Sequence, residues 1–214
     1  MKDLFQKHKI CAILRNIPLE KTIDYVTAAF NGGIRLFEVA MNSPHAEKQI
    51  QILTDKFGDR ALIGAGTVIN KELCLRAKNA GAQFFLTPSV VIETLEFCAA
   101  NQIKLLPGVL TPTDVSVCLN YGYKTFKLFP ACDMPQNYVK SLLGPFDNTN
   151  YVAVGGVKLE NASDYLKQGF IGVGIGGSLI PKEFIEKEEW EKASQLIREN
   201  IQKLSWLCKL NMKK

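Results

Sequence analysis

The most constraining feature of this 214-residue chain is a regular alternation of two segment types. Eight short apolar runs, rich in β-branched and aromatic residues, recur every ~20–30 residues, and amphipathic segments fill the intervals. The runs are Lys9–Arg15, Arg35–Met41, Ala61–Val68, Phe84–Pro88, Lys104–Leu110, Thr125–Pro130, Tyr151–Val157 and Gly172–Ile180. Strands that are separated by helices pair in parallel through right-handed crossovers, so the pattern predicts an α/β fold.

Eight such units in a chain of this length can close a (β/α)8 TIM barrel with a parallel closed sheet, and an open doubly wound sheet is the alternative. Helices are predicted to begin near Leu19, Pro44, Asn70, Val91, Pro112, Pro135, Asn161 and Lys182. Gly81, Gly122 and Gly169 stand where helices should end. No shift in composition marks a second domain, so residues 1–214 are predicted to form a single barrel domain, with a short basic tail from residue 205.

Charge and composition exclude several classes of protein. Hydrophobic residues make up 47% of the chain and charged residues 22%, which excludes a disordered chain. Of the net charge of +5, four units come from Lys203, Lys209, Lys213 and Lys214. A nucleic-acid-binding protein carries its excess charge on one face or groove, so we predict no nucleic-acid partner.

The N-terminal residues lack a long apolar run, and no segment is apolar enough to span a membrane, so we expect no signal peptide and no membrane partner. The two histidines and the scattered cysteines do not have zinc-site spacing, so no metal is expected. Isolated thiols suit a reducing cytoplasm. The Gly172–Gly177 segment matches a dinucleotide fingerprint, but it lies on the last strand with no strand after it, so we expect no such cofactor.

Lys127 lies in the middle of an apolar run. Thr125, Lys127 and Phe129 share one face of the predicted strand, and if that face points into the barrel, a lysine stands among interior side chains. Burial disfavours the ammonium form and leaves a neutral, nucleophilic amine, which imine formation with a ketone requires. The alternative is a lysine whose side chain reaches the solvent at the end of the strand.

Two further charged residues lie on strands that should be neighbours. Glu38 interrupts an apolar run and could relay protons beside the Lys127 amine, directly or through one water, or could form a buried ion pair that only specifies packing. Arg15 ends the first strand and could grip a carboxylate with two hydrogen bonds, or could be an ordinary arginine in solvent.

Glycine-rich turns follow strands seven and eight. These are Val154-Gly155-Gly156-Val157 and Gly174-Ile-Gly176-Gly177-Ser178. In (β/α)8 barrels the backbone N–H groups of these two loops often bind phosphate, although the glycines could instead serve tight packing. A third turn ends strand three and offers the Thr67 hydroxyl to the same end, unless Thr67 caps the next helix. Together these residues indicate Schiff-base chemistry on a phosphorylated keto acid.

With these residues in place, the chain resembles the 2-keto-3-deoxy-6-phosphogluconate (KDPG) and 4-hydroxy-2-oxoglutarate (KHG) aldolase family over about Lys9 to Ile201. The matching segments are Ala12-Ile-Leu-Arg15, Phe37-Glu38-Val39, Gly64-Ala-Gly-Thr67-Val68, Leu86-Thr-Pro88, Leu106-Pro107-Gly108, Phe126-Lys127-Leu-Phe129-Pro130, Gly155-Gly156 and Gly176-Gly177-Ser178. The resemblance implies a class I aldolase that is a homotrimer of barrels without metal or other cofactor.

The resemblance also implies roles for individual residues. Lys127 would be the Schiff-base lysine and Glu38 the acid and base. The predicted substrate contacts are those of Arg15, Thr67, Pro88, Phe129, Val154, Gly155, Gly156, Gly176, Gly177 and Ser178.

The sequence departs from the gluconate branch of the family at two positions. Asn42 stands where many members have an arginine, and Arg15 on the neighbouring strand could replace the missing charge. Val154 stands where many have threonine, and both departures resemble the 2-keto-3-deoxy-6-phosphogalactonate branch. The sequence leaves either epimer, and also 4-hydroxy-2-oxoglutarate, open as substrate. The alternative functions are a phosphate-binding barrel isomerase or epimerase and a non-catalytic sugar-phosphate-binding barrel.

Overall fold

The computed structural model describes residues 1–211, with side-chain surroundings through Leu204. The predicted basic tail from residue 205 therefore lies outside the described side chains. Nine parallel strands form one sheet. They are β1 (Ile10–Leu14), β2 (Leu36–Ala40), β3 (Leu62–Gly66), β4 (Phe84–Leu86), β5 (Lys104–Leu106), β6 (Gly108–Val109), β7 (Thr125–Leu128), β8 (Asn150–Val154) and β9 (Gly172–Ile175).

The strand order closes the sheet into a barrel. Its order is β5-β4-β3-β2-β1-β9-β8-β7-β6, and β5 and β6 are two halves of one predicted strand on either side of Pro107. Proline has no N–H to donate to a ladder, which divides the strand there. The Pro107 carbonyl still accepts the Lys127 N–H at 2.9 Å, so the broken strand pairs with β4 through one half and with β7 through the other. The predicted (β/α)8 barrel is confirmed.

Helices surround the sheet. They are α1 (Lys2–His8), α2 (Thr22–Asn31), α3 (Ala46–Phe57), α4 (Lys71–Asn79), α5 (Ile92–Ala100), α6 (Pro112–Asn120), α7 (Tyr138–Leu143), α8 (Ala162–Lys167), α9 (Lys182–Glu186) and α10 (Trp190–Asn211). Among the described helices, none combines the length and the apolar character that crossing a bilayer requires.

Most predicted helix boundaries agree with the structure for identifiable reasons. The Asn70 side chain accepts the Leu73 N–H at 2.8 Å and begins α4. Thr111 and Asp114 form a reciprocal capping box at the start of α6. Gly81 and Gly122 adopt φ of +91° and +82° just after helices, the left-handed conformation that glycine allows. Helix α1 was not predicted.

Two apolar clusters divide the molecule. The outer face of the sheet, with Phe37 and Val39 of β2, packs against the helices. The inner cluster fills the barrel with Cys11, Ile13, Leu36, Phe84, Leu86, Leu106, Val152 and Val154. Phe5 of α1 joins the inner cluster and is fully buried, so α1 plugs the end at which the strands begin. The opposite end, at the carboxyl ends of the strands, holds the candidate site.

Candidate active site

A cavity of about 320 Å³ opens at the carboxyl ends of β1, β7, β8 and β9. Eight of the twelve predicted site residues line it: Arg15, Lys127, Val154, Gly155, Gly156, Gly176, Gly177 and Ser178. The other four, Glu38, Thr67, Pro88 and Phe129, lie on or follow strands at the same end without lining it.

Lys127 lies on β7 with its side chain inside the barrel. Its strand neighbours are Gly108 of β6 and Val152 of β8, and it is only 4% exposed. The adjacent Phe126 and Leu128 belong to the outer cluster, which fixes the inward face as that of Lys127. The Nζ atom lies 5.1 Å from the centroid of the Phe129 ring. The lysine is thus buried against the cavity rather than extended into solvent.

Glu38 is a fully buried carboxylate on the inner face of β2. A side chain at Gly66 of the adjacent β3 would overlap the Glu38 carboxylate, so glycine at 66 makes room for it. Within the described structure, neither Glu38 oxygen has a hydrogen-bond partner. Burial raises the pKa of Glu38 above its usual value, and the positive charges of Lys127 and Arg15 offset only part of that increase.

Lys127 and Glu38 share the barrel interior without pairing. None of the ion pairs among the described residues includes either side chain. The hypothesis of a buried ion pair that only specifies packing does not fit this arrangement. A buried carboxylate without a partner is costly, and near an amine it is chemically suited to accept and return protons.

Arg15 follows β1 and is held from two sides. Its Nη1 donates to Oδ1 of Asn42 at 2.7 Å, and its Nη2 donates to Oγ1 of Thr67 at 3.3 Å. These bonds place the guanidinium over the ends of β2 and β3, so Arg15 is not a free surface arginine. Asn42 stands at the position where the gluconate branch often has an arginine. In this structure its side chain holds the Arg15 guanidinium in place.

Thr67 has φ of +57°, a left-handed conformation that is rare for a β-branched residue. It does not cap α4, because Asn70 has that role. Strain of this kind persists where surrounding structure enforces it, and such positions cluster at functional sites. The constrained turn presents the Thr67 hydroxyl to Arg15.

The two glycine turns differ in whether backbone conformation and packing require glycine. Gly155 and Gly156 have φ of +96° and +70°, and a side chain at 156 would collide with Cys132. Gly176 and Gly177 have no such requirement, since a Cβ at either would meet nothing within 4 Å. Packing therefore requires glycine in the first turn, whereas in the second turn packing does not require glycine, and its backbone is open to the cavity. Ser178 Oγ donates to the Val157 carbonyl at 3.0 Å and ties the two turns together.

The sequence interpretation missed several residues of this site. Lys158 lines the cavity beside the first glycine turn. Asn161 supports that turn, and Gly66 accommodates Glu38. A cation two residues after Gly155-Gly156 was a visible signal for Lys158, whereas the role of Gly66 depends on strand register. In the described part of the chain, no three His, Cys, Asp or Glu side chains converge as metal ligands would.

Comparisons with known proteins agree on one group. Residues 1–196 match the KDPG and KHG aldolase family. A 2-dehydro-3-deoxy-6-phosphogalactonate aldolase of Escherichia coli K12 is 33% identical over 174 residues, which cover 81% of this chain and 85% of that protein. A 2-dehydro-3-deoxy-phosphogluconate aldolase of Pseudomonas aeruginosa is 31% identical over 176 residues, with coverage of 81% and 79%.

A solved structure is similar over nearly the whole chain. The KDPG aldolase of Legionella pneumophila, captured with pyruvate as a covalent carbinolamine, has a TM-score of 0.85 and 30% identity to this chain. The match covers 92% of this chain and 96% of that one.

Proposed function

Because the chain belongs to the KDPG and KHG aldolase family, which consists of carbon–carbon lyases, we propose that it is a class I aldolase that acts through Lys127. Its substrate is 2-keto-3-deoxy-6-phosphogluconate or the galactonate epimer. The products are pyruvate and glyceraldehyde 3-phosphate. The observation that carries the proposal is the joint burial of Lys127 and Glu38 at the same end of the barrel without an ion pair between them.

The first stage forms a covalent bond between enzyme and substrate. The neutral Lys127 amine attacks the C2 carbonyl carbon and gives a carbinolamine. Loss of the hydroxyl as water then gives an iminium. The pyruvate carbinolamine of the Legionella relative is the equivalent adduct in that protein. In this chain, Nζ lies over the Phe129 ring, 5.1 Å from its centroid.

The second stage breaks the C3–C4 bond. Glu38 accepts the proton of the C4 hydroxyl through the water released in the first stage. The bonding electrons flow to the iminium and give an enamine, and glyceraldehyde 3-phosphate leaves. Protonation of the enamine at C3 and hydrolysis of the iminium release pyruvate and restore Lys127. The raised pKa of Glu38 suits a group that must both take up and return a proton.

The two ends of the substrate require different groups. The Arg15 guanidinium, oriented by Asn42, and the Thr67 hydroxyl hold the C1 carboxylate. The open backbone of Gly176 and Gly177, with Ser178 and the first glycine turn, holds the 6-phosphate. Phe129, whose ring lies 5.1 Å from Lys127 Nζ, and Pro88, which follows β4, flank the cavity at the same end of the barrel.

Asn42 and Val154 favour the galactonate epimer. Val154 lines the cavity and is only 4% exposed, and a valine cannot donate a hydrogen bond to the C4 hydroxyl as a threonine would. One residue of this kind shifts epimer discrimination by only a few kcal/mol at most, with ~10–200-fold as the usual range for such a pocket change. Activity on both epimers and on 4-hydroxy-2-oxoglutarate is therefore part of the proposal.

Borohydride reduction tests the proposed chemistry. The protein is incubated with pyruvate, reduced, digested and mapped by mass spectrometry, with a sample without pyruvate as control. We expect a reduced pyruvate adduct on Lys127. No adduct, or an adduct on another lysine, would favour an isomerase or a non-catalytic binding protein.

Oligomeric state and location are further parts of the proposal. Ile69 and Ile92 are 46% and 42% exposed at the starts of adjoining helices, where Lys71 N–H donates to Glu93 Oε2. Such side chains suit a subunit contact, and we propose a homotrimer. The described cysteines are free thiols, which suits the reducing cytoplasm. Light scattering tests the trimer against the chain mass of 23.8 kDa.

A further inference from the structure

Lys158 is a cation at the cavity that the proposed steps do not use. It lies on the loop after β8, two residues beyond Gly156, and its side chain is exposed at the rim of the cavity. Among the described residues, no carboxylate or other acceptor partners its amine, whereas Lys167 and Lys182 on nearby helices each pair with an acid. Its charge is therefore available to a ligand.

The backbone around Lys158 is fixed. Its N–H donates to Oδ1 of Asn161 at 2.8 Å, and Nδ2 of the same asparagine donates to the Gly156 carbonyl at 3.2 Å. The intervening Val157 carbonyl accepts from Ser178 Oγ at 3.0 Å, so the loop is anchored to the second glycine turn. The exposed Lys158 side chain thus projects from a loop whose backbone is hydrogen-bonded to Asn161 and to the second glycine turn.

We propose that Lys158 binds the terminal phosphate of the substrate and sets the preference for phosphorylated over unphosphorylated substrates. The inference rests on the proposed aldolase function. Glycine turns supply backbone N–H donors with partial charge only, and a dianionic phosphate gains further from a full positive charge. The other cavity cations, Arg15 and Lys127, serve the carboxylate and the reacting carbonyl, so Lys158 is the cation left for the phosphate.

Steady-state kinetics in the condensation direction test this role. Pyruvate is combined either with glyceraldehyde 3-phosphate or with unphosphorylated glyceraldehyde. Lys158→Ala should raise KM for glyceraldehyde 3-phosphate by about five- to tenfold with kcat changed less than about twofold, the size of a rim-exposed contact to an anion. The kinetics with glyceraldehyde should stay unchanged. Inorganic phosphate should inhibit the variant more weakly, by a similar factor.

Two matched variants sharpen the test. Lys158→Arg keeps the charge and should restore most of the KM. Lys140→Ala removes an exposed lysine from α7, which does not line the cavity, and should behave as the unchanged protein. An unaltered KM in Lys158→Ala, or an equal loss with both aldehydes, would overturn the inference.

A phosphate-independent reaction separates this inference from the proposed function. Exchange of the pyruvate methyl protons with D2O, followed by NMR, needs the enamine but no phosphate. If the unchanged protein shows no exchange, the aldolase proposal fails. If exchange is normal in both proteins while Lys158→Ala keeps its affinity for glyceraldehyde 3-phosphate, the role of Lys158 alone fails.

Discussion

The charged groups in the interior of the barrel and those at the rim of the cavity differ in whether they have partners. Inside the barrel, Glu38 is fully buried and accepts no hydrogen bond from the described residues, and Lys127 is 4% exposed without an ion pair. At the rim, Arg15 is exposed and yet donates to both Asn42 and Thr67. Proteins usually do the reverse, because an unpartnered buried charge is costly and an exposed one is not.

In the proposed mechanism, the buried residues carry out the chemistry and the rim residues position the substrate. A nucleophile and a proton acceptor must be free of strong partners if they are to form new bonds, and removal from water makes both more reactive. A group that holds a carboxylate in one orientation works better when it is already held itself, since less side-chain freedom is lost on binding. Substitutions in the interior should therefore affect kcat, whereas substitutions at the rim should affect KM.

The largest effect is expected from Lys127→Ala. Without the amine no iminium forms, and kcat for pyruvate release should fall by about four orders of magnitude or more. Because the variant removes a buried cation, it should remain folded, which circular dichroism and thermal unfolding check. Lys127→Met, with a side chain of similar length, is the control for lost volume. Near-normal turnover in either variant would end the Schiff-base assignment.

Glu38→Gln should lower kcat by about 10²–10⁴-fold, the usual contribution of a positioned acid or base. The rate of the unchanged protein should fall as pH drops through the raised pKa of Glu38, since only the carboxylate accepts the proton. The glutamine variant should lack that acidic limb. A pH–rate profile of both proteins checks this, and an identical acidic limb in the variant would assign the titration to another group.

Stability offers an independent check on Glu38. Its folded-state pKa lies above its unfolded-state value, so the folded protein binds this proton more tightly. The free-energy cost of burying the Glu38 charge is therefore greatest above the raised pKa, and it decreases as the pH falls below that pKa. Glu38→Gln should accordingly raise Tm at neutral pH, and its advantage should shrink toward pH ~4. A Tm difference independent of pH would mean that Glu38 is not a buried carboxylate.

The sequence was sufficient to predict the barrel because local signals and global topology agree. Asn70, Pro112 and the glycines after α4 and α6 place helix ends through side-chain capping and left-handed backbone. The break in the strand at Pro107 was not predicted, because one apolar run spans both halves of the strand. Helix α1 was also not predicted, because the burial of Phe5 at the end of the barrel stabilises it and no local sequence signal does.

The site was predictable where a residue is unusual in its own strand. A charge within an apolar run singled out Lys127 and Glu38, and alternation along the strand showed which residues share a face with each. Which face of the Lys127 strand points into the barrel was left open, and the outer cluster decides it. The lack of an ion pair between them was not predictable, because it depends on distances across the barrel. The same holds for Gly66, which matters only because strand register places it beside Glu38.

Rim substitutions should be milder than interior ones. Arg15→Ala should raise KM for pyruvate by about 10- to 100-fold, the range for a lost hydrogen bond to a charged group, with a smaller change in kcat. Asn42→Ala leaves Arg15 in place but removes the hydrogen bond that orients its guanidinium. The KM for pyruvate should then rise only about threefold, near the value of a single hydrogen bond. Pyruvate saturation in the exchange assay measures both. Equal effects of the two variants would mean that Asn42 does more than orient Arg15.

Val154→Thr should give the smallest effect. It tests a buried residue that lines the cavity between the interior and the rim. Val154 pairs with Gly174 of β9, belongs to the inner cluster and lines the cavity, so a threonine there places a hydroxyl at the edge of the cavity without adding volume. The ratio of kcat/KM for the gluconate epimer to that for the galactonate epimer should rise by about five- to tenfold.

Val152→Thr is the matched control, because Val152 lies on the same inner face of β8 below the cavity and is fully buried. It should lose stability without moving the ratio, since its hydroxyl cannot reach substrate. An unchanged ratio in Val154→Thr would show that the C4 hydroxyl is recognised elsewhere, and Asn42 would be the next residue to test.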